Sequence, residues 1–145
     1  MNVLHINCNY MSTALHQTMI EHLDKINIKN QVFAPIYTEN RSVIQPNNNV
    51  VVAKCFKKID RYVFYYKQAK IRKSLERNID VKDYDCIHAY TLFTDGNAAY
   101  TLSKKYNIPY VVAIRDTDVN FFLKKMFWMR KRGVKILKNA SAVFF

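Results

Sequence analysis

At 145 residues, half of them apolar, the chain has the size of one domain and enough hydrophobic mass for a buried core. Two glycines and three prolines exclude collagen-like, Gly/Ser-linker and Pro-rich disordered architectures, and no repeat or low-complexity run is present. The formal charge of +12 is uneven: Lys54 to Arg77 and Lys124 to Lys138 carry +7 each, so the remainder sums to minus two and both segments should meet something anionic.

The apolar run Val3 to Cys8 (VLHINC) reads as a strand. Ser12 or Thr13 then caps a helix reaching about Ile26, with Leu15, Met19, Ile20 and Leu23 on one face. Gln31 to Tyr37 and Val50 to Phe56 are β-branched and aromatic runs, separated by the polar loop TENRSVIQPNNN. From Ile59 to Asn78, Ile59, Tyr62, Val63, Tyr66 and Ile71 recur at helical spacing among lysines and arginines, which predicts a basic amphipathic helix.

Cys86 to Thr91 reads as another strand, after which Asp95 caps a helix from Gly96 to Tyr106. Ile108-Pro109 marks the break before a strand over Tyr110 to Ile114. A helical region follows over about Phe121 to Asn139, with a break expected at Gly133, before the final apolar run Ala142 to Phe145. Strands alternating with helices at this spacing predict an α/β fold, a Rossmann-like parallel sheet with helices on both faces. Because the chain ends inside SAVFF, we expect the front piece of a longer protein.

Cys8, Cys55 and Cys86 fall in predicted strands without C-x-x-C spacing, so reduced, buried thiols are expected rather than disulfides or zinc ligands. His5 reads as core, and His16 and His22 lie six apart on different faces of the first helix, so no metal site is expected. The N-terminus lacks a basic region followed by a long apolar one, and no apolar run approaches ~18 residues. A cytoplasmic protein is the expectation. Gly-x-Gly-x-x-Gly, Walker and Gly-x-Ser-x-Gly motifs are absent, which weakens dehydrogenase, phosphotransferase and hydrolase readings.

In an open parallel sheet, ligands bind beyond the carboxyl ends of the strands. Arg115, Asp116 and Asp118 gather one cation and two carboxylates at such a strand end, suited to sugar hydroxyls or to charge on a departing phosphate. The plainer alternative is helix capping by Asp116 or Asp118. Thr94, Asp95 and Gly96 sit at a helix start, and Asn9, Tyr10 and Ser12 in the loop after the first strand.

The stretch IHAYTLFTDGNAAYTLSKKYNIPYVVAIRDTDVN resembles the N-terminal domain of family 4 glycosyltransferases of the GT-B fold, bacterial surface-polysaccharide type. The matching features are His88 and Tyr90, then Gly96, then IPYVVAIR and the turn Arg115 to Asp118; Lys138 to Val143 resembles the passage before the family's second domain. The chain departs from the family in having Asn9-Tyr10-Met11-Ser12 where a Gly pair is common, Asp116 where Gly is common, and Arg115 where many relatives carry His.

The resemblance implies transfer of a sugar from a nucleotide-sugar to a lipid-linked or polysaccharide acceptor. The acceptor would contact His88, Tyr90, Thr94, Asp95, Gly96, Asn9, Tyr10 and Ser12, with Arg115, Asp116 and Asp118 catalytic. No cofactor is implied for this domain. The nucleotide-sugar donor would be held by a C-terminal domain absent here, so residues 1–145 alone would be inactive. Replacing Asp118 by Ala is expected to cost turnover more than folding.

In FFLKKMFWMRKRGVKILK, aromatic residues interleave with Lys124, Lys125, Arg130, Lys131 and Arg132 around Trp128, as in a helix lying on an anionic membrane surface. Peripheral attachment to the inner membrane face is therefore expected. The alternatives are a non-catalytic membrane-docking partner subunit, favoured by a co-purifying partner, and a basic nucleic-acid-binding module, which no recognizable motif supports.

Overall fold

The computed structural model describes residues 1–40 and 48–145. Most of the expected TENRSVIQPNNN loop, residues 41–47, lies outside the described residues. Six parallel strands form one sheet in the order β3-β2-β1-β4-β5-β6: β1 (Asn2–Ile6), β2 (Lys29–Tyr37), β3 (Val50–Phe56), β4 (Cys86–Ala89), β5 (Tyr110–Ala113) and β6 (Ala142–Phe144). The helices are α1 (Ala14–Lys25), α2 (Phe64–Asn78), α3 (Thr94–Tyr106) and α4 (Phe127–Asn139). This is the Rossmann-like α/β fold that the alternation predicted.

Alternation along the strands assigns the two faces. Val32, Ala34 and Val50 pack with Ile20 of α1 on one side. Leu4, Ile6, Phe33, Ile87 and Val112 meet Ile71 and Leu75 of α2, Leu102 of α3 and Ile136 of α4 on the other. Both faces are buried, which is why the strands read as nearly continuous apolar runs. The β1–β4 register sets His5 opposite His88.

The structure corrects several local expectations. β1 stops at Ile6, short of Cys8, whose amide turns to the Asp95 carboxylate, and β4 stops at Ala89, short of Thr91, although the Asn7 and Tyr90 amides still reach the Phe33 and Ile6 carbonyls. All three cysteines are free, but each is half-buried rather than enclosed. In α1, Leu15 is 73% exposed and His16 takes the inward position with Ile20, so the buried stripe is rotated by one residue; Met19 and Leu23 pack at its margin. Thr13 is the cap, its Oγ1 accepting from the Leu15 amide at 3.0 Å.

The expected helix from Ile59 to Asn78 is two elements. Residues Lys58–Tyr62 form a 3-10 turn closed by Asp60, whose Oδ2 accepts from the Lys57 amide and from Lys70 Nζ, both at 2.7 Å. Ile59, Tyr62, Val63 and Tyr66 are consequently exposed, and the inward stripe of α2 is Gln68, Ile71 and Leu75. Gly133 does not break α4. The interruption comes earlier, where a π-helical turn over Asp118–Leu123 gives way before Phe127, and Arg130 Nε donates to the freed Leu123 carbonyl at 2.6 Å.

The two glycines permit close helix approach at different cost. A Cβ on Gly96 would lie 3.1 Å from the Thr91 carbonyl oxygen and 3.1 Å from Val112 Cγ2, neither free to retreat. On Gly133 it would meet the outer ring atoms of Phe93 at 3.1 and 3.3 Å. Overpacking costs about 1–3 kcal/mol, whereas Gly to Ala within a helix regains about 1 kcal/mol. Urea unfolding should therefore show Gly96→Ala less stable by about 1–2 kcal/mol and Gly133→Ala near neutral; the reverse order would contradict this packing.

Candidate functional site

Because every strand is parallel, their carboxyl ends share one rim. After β1, the Asn7 amide still donates to Phe33 O at 3.1 Å, but the Cys8 amide turns to Asp95 Oδ1 at 3.2 Å. Asn7 Oδ1 accepts from the Asn9 amide at 2.9 Å, and the Asn9 carbonyl accepts from Ser12 at 2.9 Å, which closes the short turn Tyr10–Ser12. Tyr10 is buried against the core beneath this loop. The Asn7 side chain is fully buried and its Nδ2 has no partner among the described residues.

Asp95 is not the simple cap expected from its position. The helix starts at Thr94, and Asp95 lies inside the first turn, wholly buried. Its carboxylate receives the Cys8 amide, Cys8 Sγ at 3.7 Å and Thr91 Oγ1 at 3.1 Å, while its own amide donates to Thr91 Oγ1 at 3.2 Å. Burial outweighs these bonds and raises its pKa to about 7. Gly96 is likewise enclosed, packed between Thr91, Val112 and Ile136, which leaves Thr94 the partly exposed member of that trio.

Asp118 is 2% exposed. Its Oδ2 accepts from the Leu92 amide at 2.9 Å and from the Arg115 amide at 3.0 Å, joining the loop after β4 to the loop after β5. Its bond to the Arg115 amide is the capping bond at the start of the following helical turn, and its bond to Leu92 reaches beyond that role; loss of its carboxylate strands two amides, so folding carries part of a cost expected to fall mainly on turnover. Asp116 is exposed, and its carboxylate accepts from the Asn120 side-chain amide.

The clamp leaves the Arg115 guanidinium over α1, where Nη2 meets His16 Nε2 at 3.0 Å. The Arg115 cation is hydrogen-bonded there to an imidazole rather than to a carboxylate. Burial and that cation both lower the His16 pKa, so the ring is neutral and accepts the bond through Nε2. His16 sits edge-on to Tyr90 at 5.2 Å. The Tyr90 hydroxyl donates to His5 Nδ1 at 3.1 Å, and His5 Nε2 donates to Asn30 Oδ1 at 2.8 Å; the Asn30 amide nitrogen bonds Asp24 and the Ile28 carbonyl, which assigns the acceptor.

His88 stacks on Tyr90 at 4.3 Å and lies edge-on to Phe144 at 5.9 Å. Burial lowers His5 to about 4 and His88 to about 3. Of the residues singled out in the sequence, Arg115 and Tyr90 are joined here through His16, while Asn7, Thr91 and His16, which the structure ties to the same loops, were not among them. His16 was set aside for lacking metal spacing, and its partner stands 99 positions away. The His16–Ile20 interval was the available sign of an inward face.

The basic aromatic segment follows Asp118 in the chain, and its inward residues Phe122, Leu123, Met126 and Met129 pack on the face covered by α2, α3 and α4. Phe121, Phe127 and Trp128 are exposed, Trp128 at 60%, beside exposed Lys124, Lys125 and Lys131. Arg130 is tied to the Leu123 carbonyl, and Arg132 turns away, its Nε donating to Asn97 Oδ1 at 2.6 Å.

No protein-family model matches the chain. No curated protein sequence matches it either. Two solved structures of sucrose-phosphate synthase from Thermosynechococcus elongatus share its fold. One aligns with a TM-score of 0.66 at 16% identity, covering 99% of this chain and 75% of that one. The other aligns with a TM-score of 0.69 at 13% identity, covering 98% of this chain and 41% of that one.

Two measurements check the site. His5 and His88 are held neutral, so the stability they confer is complete above about pH 6.5 and is lost as pH falls toward about 4 and about 3; Asp95 acts oppositely, its contribution lost as pH rises through about 7. Between pH 6 and 4, His88→Phe should flatten the acid loss of stability by about 1.4 kcal/mol per pH unit and Asp95→Asn should steepen it by a similar amount. Unchanged slopes would contradict the burial. Asp118→Ala should cost about 2–4 kcal/mol in urea unfolding, with Asp118→Asn recovering part because its carbonyl still accepts.

Proposed function

We propose that this chain is the acceptor-side domain of a GT-B glycosyltransferase, which moves a sugar from a nucleotide-sugar to a lipid-linked or polysaccharide acceptor. One observation carries the reading. At the carboxyl ends of the strands, half-buried Arg115 is a cation bonded to neutral His16 at 3.0 Å, and exposed Asp116 follows it in the chain. Such a set recognises hydroxyls and developing negative charge, and chemistry of this class depends on orientation and charge stabilisation.

In this reading Arg115 stabilises charge, Asp116 accepts from sugar hydroxyls, and Asp118 positions both through the clamp. Asn9, Ser12 and Thr94 line the approach of the acceptor, while His88 and Tyr90 support His16 from beneath. The likeness to sucrose-phosphate synthase, a protein named for making a phosphorylated disaccharide, supports a sugar-transfer scaffold at the level of fold. A second domain would hold the donor.

Phe121, Phe127 and Trp128 among Lys124, Lys125 and Lys131 suit docking to an anionic membrane, where a lipid-linked acceptor resides. The same exposed patch is what favours the second reading, a membrane-docking partner subunit whose catalytic partner is another chain.

Chromosomal Arg115→Ala in the source cell, at unchanged protein level, should deplete a lipid-linked or surface saccharide at least tenfold by mass spectrometry. A profile unchanged even on gene deletion would sink the proposal. Reversing Lys124, Lys125 and Lys131 to Glu should abolish pelleting with phosphatidylglycerol vesicles, at roughly 1 kcal/mol per lysine; equal pelleting with neutral vesicles would remove the electrostatic part.

A further inference from the structure

We propose that the cleft between α2, α3 and α4, in the helical layer, binds a phosphoryl group. Its walls are Tyr65, Gln68 and Arg72 of α2, Asn97 and Thr101 of α3, and Arg132 of α4, around a volume of about 200 Å3. This site is separate from the Arg115–His16 cluster and stands whether or not the glycosyltransferase reading does.

The polar groups here form a one-way chain that occupies the oxygens of Asn97, Gln68 and Thr101. Arg132 Nε donates to Asn97 Oδ1 at 2.6 Å, and Asn97 Nδ2 donates to Gln68 Oε1 at 3.0 Å. The Thr101 hydroxyl is spent on its own helix, donating to the Asn97 carbonyl at 2.8 Å, and its oxygen takes Arg132 Nη2 at 3.5 Å. Left over are donors. Gln68 Nε2, on a side chain only 5% exposed, has no partner, and neither does the buried Arg72 Nε among the described residues. Buried donors without a partner are rare in folded proteins, and these two can take an acceptor that enters the cleft.

The charge lining the cleft has one sign, although Glu76 is near enough to act on Arg72. Arg72 and Arg132 both line it and no carboxylate does. Glu76, one turn along α2 from Arg72, is engaged by Lys105 Nζ at 2.7 Å and by the Tyr106 hydroxyl at 3.0 Å. Arg132 is held in place by its bond to Asn97 and by the Tyr100 ring, 4.7 Å beneath its guanidinium carbon. Two guanidinium groups and a primary amide, whose neighbouring amide oxygens already accept, suit an occupant that supplies several anionic oxygens, and guanidinium forks match phosphoryl geometry. At about 30 Å3 for each water of liquid volume, the cleft has room for a phosphoryl group and some water.

The test is calorimetric titration of the protein with inorganic phosphate at fixed ionic strength, with acetate as a second arm. Saturable one-site binding of phosphate is expected, weakened at least tenfold in Arg72→Gln and in Arg132→Lys, with both variants checked for folding by circular dichroism. In the unaltered protein the Nε–H signals of Arg72 and Arg132 should shift with phosphate in nuclear magnetic resonance spectra, which keeps the test decisive if a variant unfolds. Absence of binding, binding equal for acetate, or Arg72→Gln within twofold of the parent would each overturn the assignment. Phosphatidic acid vesicles identify the source: pelleting lost in Arg72→Gln indicates a lipid headgroup, and pelleting retained while phosphate binding is lost indicates a soluble phosphate.

Discussion

A single carboxylate oxygen, Asp118 Oδ2, organises the polar end of this molecule. It collects the amides of Leu92 and Arg115, which leave two neighbouring strands, and so joins their loops in a place without solvent. Hydrogen bonds to an ionised acceptor are among the stronger ones a fold can make, and the cost of losing one is greatest where water cannot replace it. From that joint the geometry propagates. Arg115 reaches His16, His16 meets Tyr90, and Tyr90 bonds His5, so that the two halves of the sheet on either side of β1 share one hydrogen-bonded and stacked array.

Charge is distributed with the same logic. Of the two strongly basic segments, the first is partly neutralised within the fold, since Lys70 pairs with Asp60, whereas Lys124, Lys125 and Lys131 remain outward next to exposed aromatic side chains. Arg72 and Arg132 belong to neither pattern. They turn into the helical layer, which separates their role from that of a solvated basic surface.

The sheet was legible in the sequence because buried parallel strands require β-branched runs: Val50 to Phe56 was bounded to the residue, and β2 and β5 to within two. Helix boundaries were less legible where a side chain intervened. Asp60 stops the first turn before α2 by bonding Lys57 and Lys70, an outcome that the spacing of Ile59, Tyr62 and Val63 does not reveal. Gly133 looked like a breaker because glycine disfavours helix, yet its value is the room it leaves for Phe93. Asp95 and Asp118 were legible as polar residues at strand ends, but their direction was not. Each bonds an amide brought near by the sheet, Cys8 across 87 positions and Leu92 across 26, and such partners are set by topology rather than by local pattern.

The central claim, that Asp118 locks the two loops together, is tested most directly by amide hydrogen exchange at Leu92 and Arg115. If the lock exists, both amides exchange as slowly as those of β4 and β5 in the parent protein, and both accelerate together in Asp118→Asn. Exchange at the rate of open loops in the parent, or protection at one amide without the other, would contradict it.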